Sequence, residues 1–246
     1  MVGCHPGRVV LSFPDTNRFR WRKSYRIIPS RYPPIDLFEG VSPPEDWELL
    51  AELEGMTNDR LRDEIGQIHL VPPERRVGGP GASWVMAPFT HINPHGSRFS
   101  DGSYGIYYAG KALETALRET IHHMGRFYGE SNDPPHAQDF RTLIGRLDAT
   151  LHDIRQGYDA CHDPDDYQPG WALGKQLREG GSDGLVYRSV RHPGGTCLAA
   201  FWPDVVTIPI QGPHFQYHWN GQRIDKYFRY GEEEGDRWIP VDWTTD

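Results

Sequence analysis

Glu119 is the residue whose type and position most clearly call for chemistry. It lies in the stretch YGIYYAGKALETALRETIHH, residues 104–123, whose second half has the apolar spacing of an amphipathic helix. At about 100° per residue, Glu119 falls at the rim of the apolar stripe, next to His123. Burying an unpaired carboxylate is costly, so this position indicates either a partner or a function. An ionised carboxylate here could stabilise positive charge on a ligand.

Two alternatives for Glu119 do not involve such a ligand. It could be a boundary residue of the core that pairs with Arg118 or Lys111. The motif ExxH, which Glu119 forms with His122, is also half of a di-iron helix motif, but no second copy occurs in the sequence. We therefore predict no metal site.

The segments around this helix have residue patterns that predict strands, helices and loops. A strand at 104–109 leads into the helix, which is predicted over roughly 111–124. Further strands are predicted at 18–27, 141–154, 184–190 and 205–210, and further helices at 42–55, 58–70 and 171–181. Proline and glycine predict a long loop over 72–97, and the chain closes in an aromatic, acidic tail. Because strands and helices do not alternate regularly, the predicted fold class is α+β.

The strand at 18–27, RFRWRKSYRI, interleaves basic and apolar residues with the period of a strand. We predict a basic face formed by Arg18, Arg20, Arg22 and Arg26, opposite an apolar face formed by Phe19, Trp21, Tyr25 and Ile27. Interleaved arginines and aromatics also occur in nucleic-acid-binding proteins. The net charge of −8 weighs against that reading, so no direct contact with nucleic acid is predicted.

Composition limits the class of protein. A chain of 246 residues suits one domain, here 1–246, with extensions and long loops. The acidic balance means that an anionic small substrate needs a local basic pocket. The cysteines are odd in number and far apart, which indicates neither a disulfide framework nor a metal cluster. Without a signal peptide or a membrane-length apolar run, we expect a cytoplasmic protein that does not enter a membrane.

Several segments in order resemble one family. GSRFSDGSYGIYYAGKALETALRETIHH, followed by DGLVYRSVRHPGG, is similar to the RES domain, named for its Arg, Glu and Ser. SYRIIPSRYPPIDLFEG resembles the N-terminal segment of that family, so the similarity spans roughly 24–220. Such proteins are typically toxins of bacterial toxin–antitoxin pairs that degrade NAD+. The resemblance implies an ADP-ribosyltransferase-like fold, in which two small β-sheets form an NAD cleft with flanking helices.

The resemblance also assigns roles to residues. It implies Glu119 and Arg98 as catalytic residues, and Tyr108, Ser189 and Arg26 as NAD-binding residues. Their chemistry fits, because a guanidinium presents a planar fork to oxyanions and a tyrosine can stack on a ring or bind an oxygen. Three of them also have a purely structural interpretation. Arg98 could be a surface arginine, Tyr108 an aromatic residue of the core, and Ser189 a serine that ends a strand.

The expected reaction is cleavage of the nicotinamide–ribose bond, which passes through an oxocarbenium-like state. Nicotinamide leaves as a neutral molecule and needs no protonation, so one carboxylate suffices. Attack by phosphate gives ADP-ribose 1″-phosphate, attack by water gives glycohydrolysis, and attack by a protein side chain gives ADP-ribosylation. The resemblance favours phosphorolysis, with NAD+ and phosphate as substrates and no cofactor. It also implies an Xre-type helix-turn-helix antitoxin as partner. The alternative to an enzyme is a non-catalytic nucleotide-binding or interaction module.

Overall fold

The sheet organises the chain in the computed structural model, which describes residues 13–30, 47–48, 66–231 and 237–243. The strands are β1 (Thr16–Pro29), β2 (Tyr107–Gly110), β3 (His136–Asp153), β4 (Gly184–Arg188), β5 (Thr196–Ala200), β6 (Ile210–Trp219), β7 (Ile224–Arg229) and β8 (Ile239–Pro240). The helices are α1 (Ser83–Thr90), α2 (Leu113–Glu130) and α3 (Gln168–Glu179). In the described ranges, no helix has both the length and the apolar composition of a membrane span.

The strands form one mixed sheet in the order β1-β2-β5-β4-β3-β6-β7-β8. β1 also pairs with β3, so strands β1, β2, β5, β4 and β3 close into a ring from which β6, β7 and β8 extend. Only the β3–β4 pairing is parallel among the described ladders. The mixture of helices and mainly antiparallel strands agrees with the predicted class, but two separate small sheets are not confirmed.

Three apolar clusters fill this framework. The ring core lies between the ring strands and α1 and contains Trp21, Tyr107, Leu147, Val186 and Leu198. The α3 core lies between α3 and the other face of β2, β4 and β5, and contains Phe99, Leu173, Leu177, Tyr187 and Cys197. The α2 core lies between α2 and β6 and β7, and contains Ala116, Leu117, Ile121, Phe215 and Trp219. Helix α2 and strand β5 contribute to different apolar clusters. The region between them is therefore not filled by one apolar core, and polar side chains can lie there.

The structure confirms the strand predicted at 18–27, which is part of β1. It does not confirm that the four arginines share one face of this strand. A bulge lies between Trp21 and Ser24, which pair with Leu147 and Gly145, so β1 carries one extra residue there. The period of two is therefore shifted beyond the bulge. Arg26 consequently lies over the ring of Tyr107, at 4.9 Å, instead of sharing an exposed face with the earlier arginines.

The predicted loop at 72–97 contains helix α1. Its apolar stretch buries Val85, Met86 and Phe89 in the ring core, although Pro88 lies inside the helix. Proline and the preceding glycines disfavour a helix locally, and burial of these side chains overrides that preference. The prediction of a loop was therefore wrong over Ser83–Thr90.

The C-terminal third also differs from the prediction. The segment 205–210 makes only an isolated bridge between Val206 and Leu147, so most of it is not a strand. The predicted tail instead contains the β6–β7 hairpin, whose turn includes Gly221 with a φ of 94°. The predicted helix at 42–55 lies outside the described residues apart from Trp47 and Glu48. That at 58–70 lies outside them up to 65, and its described end has only a 3-10 turn.

Candidate active site

Helix α2 presents Glu119 at the edge of the α2 core. Its apolar face packs as predicted, with Ala116, Leu117 and Ile121 buried. The Glu119 side chain keeps 18% of its surface exposed. It therefore points away from the core into the space between α2 and the end of β4.

Ser189 directs its hydroxyl hydrogen at Glu119. Ser189 Oγ accepts the backbone N–H groups of Arg191, at 3.3 Å, and His192, at 2.9 Å. Both acceptor positions of the hydroxyl are thereby used, so its hydrogen is donated to Glu119 Oε1, at 2.6 Å. The backbone N–H of Val190 also points at this oxygen, at 3.3 Å. The turn after β4 thus fixes one oxygen of the carboxylate.

The other oxygen of Glu119 is less constrained. Oε2 lies 3.6 Å from Nε2 of His123, one helical turn further along α2. Burial disfavours the charged carboxylate, but interactions with His123 and Ser189 and the charge of Arg98 outweigh burial and lower the pKa of Glu119 to about 2. Glu119 is therefore ionised at neutral pH, with Oε2 available to a ligand.

Arg98 brings a positive charge to the same region. Its side chain is buried, its Nη1 donates to the carbonyl oxygens of Asp163, at 2.7 Å, and Cys161, at 3.3 Å, and its guanidinium lies 4.6 Å over the ring of Tyr167. Among the described residues, no acceptor lies within hydrogen-bond distance of its Nε and Nη2 atoms. These N–H groups are available to an anionic ligand.

Tyr108 holds the segment that carries Arg98. Its hydroxyl bonds to Ser97 Oγ, at 2.9 Å, and accepts the backbone N–H of Phe99, at 3.0 Å. Burial raises the pKa of Tyr108 to about 12, so the phenol stays neutral. Tyr108 thus contacts both neighbours of Arg98 and positions it.

Two glycines of α3 allow the helix to lie against the same segment. A Cβ atom on Gly170 would lie 2.2 Å from the carbonyl oxygen of Arg98, and one on Gly174 would lie 2.1 Å from that of Phe99. Both oxygens belong to the backbone and cannot turn away as a side chain could. The GxxxG spacing of α3 is therefore a requirement of the site, and it was a signal in the sequence that our interpretation missed.

Cys197 and Tyr187 form the apolar side of the site. Cys197 Sγ lies 4.0 Å from Glu119 Oε1, and the ring of Tyr187 packs edge-on against Phe99 at 4.9 Å. Burial raises the pKa of the Cys197 thiol and of the Tyr187 phenol well above their usual values. Neither supplies charge, so Glu119 carries the negative charge on this side.

The structure brings together four of the five predicted residues, Arg98, Tyr108, Glu119 and Ser189. Arg26 lies apart: its Nη1 donates to the backbone oxygen of Tyr108, at 3.0 Å, on the side of β2 that faces the ring core. Since successive side chains of a strand point to opposite faces, the Tyr108 side chain lies on the other side. The assignment of Arg26 to NAD binding therefore stays a prediction, made for a residue on the other side of β2 from the remaining four.

No metal centre is evident in the parts of the chain that the structure describes, where His, Cys, Asp and Glu do not gather in groups of three or more. The fold and the site define a mixed α/β protein in which a carboxylate, a hydroxyl and a guanidinium meet beside a ring of strands.

Comparison with known proteins identifies the family. The RES domain family model matches residues 73–220, so the chain belongs to the RES domain family, as its motifs indicated. The matched range contains Arg98, Tyr108, Glu119 and Ser189 but not Arg26. The chain is 32% identical over 212 residues to the uncharacterized protein y4oC of Sinorhizobium fredii. The aligned region covers 85% of this chain and 87% of that protein.

A solved structure also resembles the chain. A chain in the crystal structure of the M. tuberculosis MbcT-MbcA toxin-antitoxin complex superposes with a TM-score of 0.42 and 10% identity. The superposition covers 84% of this chain and 87% of that chain. Family membership rests on the sequence matches, not on this superposition.

Proposed function

We propose that this protein cleaves the nicotinamide–ribose bond of NAD+, with inorganic phosphate as the acceptor. The observation that carries the proposal is the ionised Glu119, fixed by Ser189 in a site that also contains Arg98. Membership of the RES domain family points to the same chemistry.

The residues have distinct parts in this reaction. As the bond to nicotinamide lengthens, positive charge grows on the ribose, and the carboxylate of Glu119 stabilises it. Oε1 is bonded to Ser189, so Oε2 is the oxygen that faces the sugar. Ser189 keeps the carboxylate in place, and the free N–H groups of Arg98 hold a phosphate oxygen. Tyr108 positions Arg98 instead of contacting the substrate.

The proposal extends to fold and context. The ring of strands with α2 and α3 would form the NAD cleft of an ADP-ribosyltransferase-like fold, with Tyr187 and Cys197 on its wall. The protein would act on cytoplasmic NAD+ as the toxin of a toxin–antitoxin pair. An Xre-type helix-turn-helix antitoxin would neutralise it.

The test follows nicotinamide release from NAD+ by the purified chain, with and without phosphate. Phosphorolysis predicts that release depends on phosphate and that ADP-ribose 1″-phosphate accumulates. Release without phosphate, giving ADP-ribose, indicates a glycohydrolase, and transfer of label from NAD+ to a polypeptide indicates an ADP-ribosyltransferase. A folded sample that releases no nicotinamide at high concentration contradicts all three and favours a binding module.

A further inference from the structure

A second arginine, Arg191, converges on the loop that Arg98 holds. Arg191 Nη2 donates to the carbonyl oxygen of Pro164, at 3.0 Å, and Arg98 Nη1 donates to that of Asp163, at 2.7 Å. The two acceptors belong to consecutive residues, so both guanidinium groups contact the same short segment of this loop. Two positive charges from separate segments of the chain are thus bound to neighbouring residues of one loop.

Arg191 belongs to the hydrogen-bond network of Glu119. Its backbone N–H donates to Ser189 Oγ, at 3.3 Å, and that hydroxyl donates to Glu119 Oε1, at 2.6 Å. The position of the Arg191 backbone is therefore fixed relative to the carboxylate.

Among the described residues, neither guanidinium forms an ion pair at salt-bridge distance. Within the described ranges, no carboxylate forms a salt bridge with Arg98 or Arg191, and Nε and Nη1 of Arg191 have no acceptor. Arg188, the last residue of β4, differs, because it pairs with Asp159 at 2.7 Å. Neighbouring arginines whose N–H groups are not all used by protein acceptors can bind multiply charged oxyanions.

The imidazole of His122 lies close to Arg191. Nε2 of His122 is hidden from solvent, and no described residue forms a hydrogen bond with it. Burial, together with the charge of Arg191, lowers the pKa of His122 to about 3, so the ring is neutral at physiological pH. A neutral imidazole can donate one N–H to an oxyanion.

We propose that Arg191 is the second guanidinium of a phosphate-binding subsite, which it forms with Arg98 and the neighbouring His122. The ligand is a phosphate oxyanion, either the diphosphate of the dinucleotide or the inorganic phosphate acceptor. The identity of the nucleotide rests on the proposed function, but the anion subsite does not. Arg191 supplies a planar fork that a lysine would not reproduce.

Calorimetric titration of the full chain with inorganic phosphate and, separately, with ADP-ribose tests the subsite. Arg191→Gln is expected to weaken binding of at least one probe by about tenfold or more, and Arg191→Lys by less. The matched control is Arg188→Gln. It also removes a guanidinium, one that donates to the backbone oxygen of Arg155 and to the carboxylate of Asp159. It is expected to leave both affinities within about twofold. Circular dichroism establishes that each variant is folded.

Repeating the phosphate titration with saturating ADP-ribose separates the two sources. Phosphate that still binds, in an Arg191-dependent way, occupies an acceptor subsite, whereas phosphate that is displaced occupies the position of the diphosphate. The proposal is overturned if Arg191→Gln binds both probes as tightly as the parent, if Arg188→Gln weakens them equally, or if the parent binds neither. Arg191-dependent binding without nicotinamide release would leave the subsite standing and remove the proposed function.

Discussion

Strand β2 separates two arginines that make similar contacts in different settings. Arg26, on one side, lies 4.9 Å over Tyr107 and donates to a backbone oxygen at 3.0 Å. Arg98, on the other side, lies 4.6 Å over Tyr167 and donates to a backbone oxygen at 2.7 Å. An aromatic ring and a carbonyl therefore do not distinguish them.

Their surroundings do. Burial lowers the pKa of Arg26, which faces the ring core and contacts Tyr107 and Tyr108. Arg98 lies close enough to Glu119 to lower the pKa of that carboxyl, and Ser189 fixes the carboxylate. A guanidinium becomes part of a site through the groups around it, so the two sides of β2 should respond differently to mutation.

The largest expected effect is on the Arg98 side, at the carboxylate. Glu119→Gln keeps the shape and an acceptor for Ser189 but removes the negative charge. We expect nicotinamide release to fall about 10³-fold, because the charge on the ribose is no longer stabilised. Circular dichroism should show a retained fold, and a variant that unfolds would instead indicate a structural role for Glu119.

The same variant makes a prediction about pH. The folded pKa of Glu119, about 2, is below its ordinary value of 4.5, so the ionised form stabilises the fold. This contribution is fully present above about pH 5 and is lost as the pH falls towards 2. The stability difference between parent and Glu119→Gln, from urea unfolding, should therefore shrink between these limits. A difference that stays constant down to pH 3 would contradict the lowered pKa.

Exchanging the two arginines for glutamine tests the comparison directly. Arg98→Gln should lower kcat/KM for NAD+ by about 10²-fold, since it removes charge-assisted bonds to the substrate. Arg26→Gln should cost about 1–3 kcal/mol of stability, because it leaves a buried carbonyl without its donor, and should leave KM unchanged. Steady-state kinetics and urea unfolding of both variants measure the two effects. A rise in KM for Arg26→Gln would restore its predicted role in NAD binding.

A smaller effect is expected from moving the backbone that carries Arg98. Gly174→Ala places a methyl group against the Phe99 carbonyl and should destabilise the fold by about 2 kcal/mol and reduce activity. Gly125→Ala on α2 is the control: its Cβ would meet nothing within 4 Å, so it should add up to about 1 kcal/mol of stability. Thermal unfolding compares them, and equal effects would argue against the close approach of α3.

The smallest effect concerns His122. Its folded pKa, about 3, is below the ordinary 6.5, so the unfolded chain binds more protons between these values and stability falls as pH decreases. His122→Gln should remove about 1 kcal/mol of the stability loss between pH 7 and pH 5, allowing for the partial exposure of the ring. Urea unfolding at both pH values measures this, and an unchanged loss would place His122 in solvent.

The predictions from sequence succeeded where local pattern decides and failed where packing decides. The apolar stripe of α2 placed Glu119 at the rim of the core, as observed. The roles of Arg98 and Ser189 came through the family resemblance, since neither has a local signal. Helix α1 was missed because Pro88 argues against a helix unless the burial of its neighbours is known.

Arg26 shows the limit most clearly. The alternation of strand 18–27 is real, but one extra residue before Ser24 shifts the period and moves Arg26 into the interior. A bulge depends on pairing with β3, which lies more than a hundred residues away along the chain and leaves no mark in the local pattern.

The sequence by itself determined the helix that carries Glu119, most of the ring strands and the family, because periodicity and ordered motifs are properties of the chain. Only the tertiary structure decided that Ser189 donates to Glu119, that α3 packs on the backbone of Arg98 and Phe99, and that Arg191 joins the site. These contacts join segments far apart in the chain, and their geometry is set by how the ring closes and the clusters pack.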